Sequence, residues 1–428
     1  MLARKWWKTL LLVCVLMLAV GASALAKSAI FWTAPNPSQE VFWQEMAKRF
    51  MAENPDYNIR IMPMAESPSS EATILTAIAG GTAPAASENI FIGFGAELVN
   101  SQALVPLDTM PGWDELIAAR NMEEAIKGWQ FDDGHYYILP IYCNPMLFGW
   151  RNDILAELGV DYIPETYEEI FEVGRKAKEE GLFLMVRPAL VSTNWWERWF
   201  DFFMLYDAIA GDVPFITGTK VTADESAVLE VFQFYYDLAK EGLILTQDIP
   251  DAFPTGMAVW SELGPWVFPG WREQFPEMVP GENFVLSMPP VPESRKAEAA
   301  NNTFADAKGL ALYAQADPEA RAAVWDFIRW VFSNPDHDLL WMETTSLPPV
   351  RDDLADNPVF AEYFASKPEL VPYAASLPQA VPPFRHGAAV EIQTALSEEG
   401  MIPVVRMQKT PEQGWADAKA AIEQILAR

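Results

Sequence analysis

At 428 residues, 50% of them hydrophobic and 21% charged, the chain can bury two or three domain cores, and its 13% aromatic content excludes disorder for the bulk. A formal charge of −29 excludes nucleic acid as a partner, because an acidic surface repels the phosphate backbone. Two cysteines exclude a disulfide scaffold and three histidines leave little for a catalytic metal, so neither metal nor other cofactor is expected.

Arg4, Lys5 and Lys8 precede an apolar run from Leu10 to Val20. That run falls short of the roughly 20 residues needed to span a bilayer. Ala24-Leu25-Ala26 then supplies the small-x-small pattern of a cleavage site, so residues 1–26 read as a signal peptide cut before Lys27. Cys14 would leave with it, and Cys143 alone would remain. A soluble, exported, periplasmic protein is expected.

Ala29 to Trp32 reads as a strand broken by Pro35, Asn36 and Pro37. Ser38 can cap a helix whose apolar positions Phe42, Met46 and Phe50 recur every four residues, and Asn54-Pro55 closes it. Tyr57 to Met62 is the next strand; Ile74, Leu75 and Ile78 mark a second helix that stops at Gly80-Gly81. Asn89 to Phe94 is again a buried-strand pattern. This alternation predicts an α/β domain with a largely parallel sheet.

Farther along, Thr166 with Glu169 and Thr222 with Glu225 are capping-box patterns, each opening a long helix. In the second, Val228, Leu229, Phe232, Tyr235 and Leu238 share one face and Gly242 ends it. Trp195 to Tyr206 is an aromatic-rich helix candidate. Leu310 to Tyr313 are strand-like, Asp317-Pro318 starts a helix with Val324, Phe327, Ile328 and Val331 inward, and Thr410-Pro411-Glu412-Gln413 opens the last helix.

Motifs for catalysis are weak. Gly93-Phe94-Gly95 lacks the third glycine of a dinucleotide loop, and His135, His337 and His386 show no metal-ligand spacing. Acid pairs such as Asp132-Asp133 and Glu398-Glu399 read as solvated surface in so acidic a chain. Binding is favoured over catalysis. Several of the 17 tryptophans sit beside turn residues: Trp32 before Thr33-Ala34-Pro35, Trp195-Trp196 after Ser192-Thr193-Asn194, and Trp266 after Gly264-Pro265. Others, Trp43, Trp325 and Trp330, read as core. A pyranose ring offers a C–H face to an aromatic plane and hydroxyls to polar side chains, so loop aromatics among Asp, Glu, Asn and Arg suit a sugar.

Phe42–Pro55, Ile74–Asp108, Gly134–Leu155, Pro164–Glu169 and Gly309–Arg351 resemble, in this order, segments of the family 1 extracellular solute-binding proteins of ABC sugar importers, the maltose-binding-protein-like group. Two departures are visible: Ala85 replaces the usual Asp after the Gly-Thr-x-Pro turn, and Trp150-Arg151-Asn152 stands for Tyr-Asn-Lys. The resemblance implies the two-lobed periplasmic binding protein fold (type II), each lobe a mainly parallel sheet flanked by helices, with a ligand cleft between them. The lobes would be 27–142 plus 306–345 and 143–305 plus 346–428, with crossings near Pro140–Asn144, Thr303–Lys308 and Ser346–Pro349.

It further implies a non-enzymatic, monomeric substrate-binding subunit that captures a carbohydrate by hinge closure and delivers it to ABC permease membrane subunits. Carried over by position, the candidate ligand contacts are Trp32, Thr33, Asn36, Glu66, Ser67, Phe94, Gly95, Tyr142, Asn144, Trp195, Trp196, Glu262, Trp266, Asp306 and Arg351. Two alternatives stay open. A phosphorylated or acidic sugar or polyol could use Arg151, Arg187, Arg198 and Arg351 as bidentate anion contacts, and an exported carbohydrate-active enzyme would need two carboxylates at fixed separation.

Overall fold

The computed structural model describes residues 26–428 apart from 68, 212 and 300. The signal-peptide reading, over residues 1–26, lies outside these except for Ala26. The described chain forms two compact units: the residues up to Ser87 with Gln315–Val331, and Glu88–Ala314 with Phe332–Arg428. Among the described residues no helix is long and apolar enough to cross a membrane.

In the first unit, strand Lys27–Thr33 lies parallel to Tyr57–Pro63 in unbroken register, Lys27 opposite Tyr57 and Thr33 opposite Pro63. Parallel neighbours need a crossover rather than a tight turn, and helix Pro37–Glu53 supplies it. Its cap is Asn36, whose Oδ1 accepts from the backbone N–H of Ser38 at 2.9 Å and Gln39 at 3.4 Å. Ser38, the expected cap, therefore lies inside the helix, behind Pro37 at the first position, where a missing N–H costs nothing.

Phe42, Met46 and Phe50 are buried as their spacing requires, together with Trp43. The Trp43 ring lies 4.4 Å from Phe31, and Phe50 lies 5.4 Å from Phe327 on helix Pro318–Phe332. Two aromatics at this core satisfy their polar tips: the Tyr57 hydroxyl donates to Asp326 at 2.8 Å and Trp330 Nε1 to Glu53 at 2.9 Å. Helix Ser70–Ala79 stops at Gly80, followed by Gly81 at φ +67, a left-handed value that glycine takes without strain.

Strand Ala86–Ile90 begins beside Lys27–Thr33, with Phe31 opposite Ala86 and Trp32 opposite Ser87. The sequence reading placed this strand over Asn89–Phe94. It ends at Ile90, and helix Ile92–Asn100 follows. A short apolar run reads the same for a buried strand and a buried helix.

The second unit is framed by strands Leu139–Pro145 and Thr303–Leu312, antiparallel, with Asn144 opposite Asp306 and Tyr142 opposite Lys308. The register shifts between Lys308 and Gly309, where a Cβ would stand 2.4 Å from the Leu139 carbonyl oxygen. Tyr142 also bridges to Pro349, and the Cys143 N–H donates to Pro348 at 3.2 Å. The three segments expected as crossings are thus neighbours. Beside them, Leu147–Trp150 runs antiparallel between Trp260–Leu263 and Val285–Ser287, its Trp150 stacked on Trp260 at 5.5 Å. Parallel pairing recurs between Met185–Val186 and Ile244–Leu245.

Helices Tyr167–Glu179 and Pro411–Leu426 open with complete capping boxes at Thr166/Glu169 and Thr410/Gln413. Helix Glu225–Glu241 is capped by Asp224 instead of Thr222, whose hydroxyl donates to Pro214 at 2.7 Å. Val228, Phe232, Tyr235 and Leu238 are buried, and Gly242 ends the helix in the left-handed region. The Trp195–Tyr206 stretch is two elements: a tight turn Trp195–Trp199 and helix Phe202–Ala210, whose first N–H is taken by the Asp201 side chain.

Candidate ligand-binding site

In the second unit a continuous row of aromatic rings runs along the crossing strands. Phe91 lies 5.0 Å from Trp195 and 4.9 Å from Trp199. Trp199 stacks on Phe304 at 5.3 Å, and Phe200 packs 5.7 Å from Trp266. Trp195, at 6% exposure, is core; Trp196 and Trp266 are half-buried and keep open surface. Trp266 folds back over Gly264, where a Cβ would come within 2.2 Å of the ring, so the Gly-Pro-Trp turn requires glycine there.

Charged groups surround this row. Arg187 Nη2 donates to Glu197 at 3.1 Å, and Nη1 contacts Glu262. Burial pushes the Glu262 carboxyl up to about 7 against the opposing pull of Arg187. One guanidinium between two carboxylates leaves an acidic excess. Arg187 Nε, buried, finds no acceptor among the described residues. Arg198 is held by Asp201 at 2.9 Å and the Ala189 carbonyl at 2.7 Å.

On the paired strands, Asn144 is fully buried and Asp306 is 5% exposed, and Oδ1 of each finds no hydrogen-bond partner among the described residues. Lys308 Nζ stands 3.9 Å from Asp306 and 5.9 Å from the centre of the Trp199 ring. Burial pushes the Asp306 carboxyl up, opposed by Lys308 and by a hydrogen bond from Tyr142. Burial likewise pushes the neighbouring Cys143 thiol up to about 12, which leaves it protonated and a poor nucleophile.

The structure therefore places Tyr142, Asn144, Trp195, Trp196, Glu262, Trp266 and Asp306 in the second unit, with Trp195 in the aromatic row, Trp196 and Trp266 each beside one of its rings, and Asn144 opposite Asp306 on the strands that carry Phe304. Phe94 and Gly95 lie in the first turns of helix Ile92–Asn100, both buried; Phe94 stacks on Phe91 at 6.3 Å. A Cβ on Gly95 would stand 2.3 Å from Ile138, so close packing accounts for that glycine. Arg351 is committed elsewhere, to Asp353 at 2.7 Å and Asp338 at 2.9 Å.

The other five candidates belong to the first unit. Trp32 is half-buried and Thr33 wholly buried, its hydroxyl without a hydrogen-bond partner among the described residues; Asn36 is occupied as a cap; Glu66 and Ser67 are exposed beyond strand Tyr57–Pro63. Sequence reasoning missed Phe91, Trp199, Phe304 and Lys308, and treated Arg187 only as an anion contact. The alternation Phe304-x-Asp306-x-Lys308 along one strand, which puts all three on one face, was the available signal.

A family model described as bacterial extracellular solute-binding protein matches residues 45–369. An arabinooligosaccharide-binding protein of Halalkalibacterium halodurans is 24% identical over 361 residues, covering 79% of this chain and 74% of that protein. The 2.1 Å crystal structure of an uncharacterized protein from Listeria monocytogenes EGD-e is 43% identical, with a TM-score of 0.80 over 93% of this chain and 99% of that one. The GacH receptor of Streptomyces glaucescens, solved unliganded and with acarbose, is 18% identical with a TM-score of 0.76, covering 94% of this chain and 98% of that one, a likeness of fold. The fold is the two-lobed α/β fold of periplasmic binding proteins.

Proposed function

This chain belongs to the family of bacterial extracellular solute-binding proteins, and from that premise we propose that its solute is a carbohydrate, captured unaltered in the second unit and passed to the membrane subunits of an ABC importer. One arrangement carries this reading. Half-buried Trp196 and Trp266 end a row of rings that reaches, through Trp195, Trp199, Phe200 and Phe304, the strand pair on which Oδ1 of Asn144 and of Asp306 is buried with no hydrogen-bond donor among the described residues. Sugar C–H faces pack on such rings, and sugar hydroxyls donate to such oxygens, which otherwise remain desolvated at a cost of about 1–3 kcal/mol each.

The name of the arabinooligosaccharide-binding relative supports the same solute class. An acidic or phosphorylated sugar fits less well, because each arginine available for it is already neutralised: Arg151 by Asp153, Arg187 by Glu197 and Glu262, Arg198 by Asp201, Arg351 by Asp338 and Asp353. The family consists of binding proteins, and capture without turnover is the expectation here. We take residues 27–142 with 306–345 and 143–305 with 346–428 as the lobes that close, a division that follows the paired crossing strands. Closure requires the ligand to bind the closed form more tightly than the open one. The N-terminal signal reading supports a periplasmic location.

A thermal-shift screen over neutral mono- and oligosaccharides and sugar phosphates tests the proposal. A ligand at a hundred times its Kd adds about 2.7 kcal/mol to stability, so one class should stand out. A hit among sugar phosphates with none among neutral sugars would overturn it.

A further inference from the structure

Helix Phe202–Ala210 carries Asp207 one turn after Phe203, on the same face. Asp207 is 5% exposed, and its carboxylate has neither a hydrogen-bond nor an ion-pair partner among the described residues. Burial alone pushes this carboxyl well above its ordinary range. A buried, unpaired acid is costly, and buried charges are ordinarily paired.

Asp207 lines a cavity of about 1220 Å³ that lies wholly in the second unit. The wall around it is aromatic. The Phe203 ring lies 5.2 Å from Phe215, 5.9 Å from Phe384 and 6.3 Å from Phe304, and all four border the cavity with Trp199. The cavity shares only Trp199 and Phe304 with the aromatic row described above. Its cationic side chains are already engaged, Arg385 by Asp132 at 2.8 Å and Arg428 by Glu391 at 3.1 Å. Burial lowers the His386 imidazole below its ordinary value, so it stays neutral at neutral pH.

We propose that this cavity is a second site, for an organic ammonium ion, with Asp207 as its counter-ion and the aromatic wall as its cation-binding surface. Ring faces carry negative potential and attract a cation, more strongly once water is excluded, and a buried carboxyl among them, which releases its proton to solvent when a cation pairs with it, supplies a full opposing charge. A small metal ion is the wrong occupant. Calcium needs six to eight oxygen ligands, and among the described residues no group of three or more His, Cys, Asp or Glu could hold a metal ion. An ammonium with an apolar body satisfies both the charge and the wall, and the chain's net charge of −29 draws cations toward it.

The probe is choline, titrated calorimetrically into the full mature chain beside 3,3-dimethylbutan-1-ol, its uncharged carbon analogue. Saturable choline binding at least about 10-fold tighter than the analogue is expected, and Asp207→Asn should weaken choline at least about 10-fold while circular dichroism and melting stay those of a folded chain. Phe384→Leu, which keeps apolar bulk but removes a ring at a half-buried position, should weaken choline several-fold and decides the matter if Asp207→Asn does not fold. No saturable heat at millimolar choline, equal binding of the analogue, or unchanged choline affinity in either folded variant would overturn the proposal. No sugar enters the assay, so it can fail while the carbohydrate reading stands.

Discussion

Asn144 faces Asp306 across an antiparallel strand pair, and Oδ1 of each is buried without a hydrogen-bond donor among the described residues, Lys308 standing off Asp306 Oδ1 at an ion-pair distance of 3.9 Å. Such atoms weaken the empty protein and strengthen a complex whose hydroxyls reach them. Asp306→Asn should therefore lower carbohydrate affinity by roughly 10- to 100-fold, read by calorimetry, because a hydrogen bond to a charged group is worth about 1.5–3 kcal/mol. Its melting temperature should hold or rise, since a buried carboxyl that Lys308 only partly offsets is removed.

The tryptophans separate into two roles. Trp266→Ala should reduce affinity by about 10-fold or more with little change in stability, as loss of a half-buried stacking plane implies. Trp195→Ala should do the reverse in weight, costing about 3–5 kcal/mol in urea unfolding, because that ring is core against Phe91 and Trp199.

Glu262 makes stability depend on pH. Its folded-state carboxyl titrates near 7 against an ordinary 4.5, because burial outweighs the attraction of Arg187. Between those values the folded chain keeps a proton that the unfolded chain has lost, so stability falls as pH rises from 4.5 to 7 and levels off above. Asp201 and Asp306 are raised in the same sense, so the comparison must be differential. Urea midpoints from pH 5 to 8 should drop less for Glu262→Gln than for the parent; equal drops would contradict this assignment.

Asp338 is 1% exposed and bridges two buried guanidiniums, Arg120 at 3.1 Å and Arg351 at 2.9 Å. Arg120 also donates to the carbonyls of Pro140 and Ile141 on the crossing strand. Asp338→Ala leaves Arg120 without its counter-ion and should cost about 3–5 kcal/mol of unfolding free energy in urea.

What the sequence could tell followed the range of the interactions. The Thr166/Glu169 and Thr410/Gln413 boxes close within a single turn, and both form as read. Asn36 and Asp224 displaced Ser38 and Thr222 as caps because several nearby oxygens can serve and only the backbone path selects one. Trp195 and Trp196 are adjacent and chemically identical, yet one is core and the other half-buried; turn geometry, not residue type, decides that. The commitment of Arg351 depends partly on Asp338 and, through it, on Arg120, a partner 218 positions from Asp338. No local pattern contains such a pairing. The opposition of Asn144 and Asp306 likewise exists only once the strand register is set.

The most direct measurement is calorimetric titration of residues 27–428 with the best neutral oligosaccharide from the thermal-shift screen, followed by chromatography of the recovered ligand. Saturable one-to-one binding, lost in Trp266→Ala and Asp306→Asn, with the oligosaccharide returned intact, is the expected result. Binding indifferent to both substitutions, or a shortened oligosaccharide, would contradict the account.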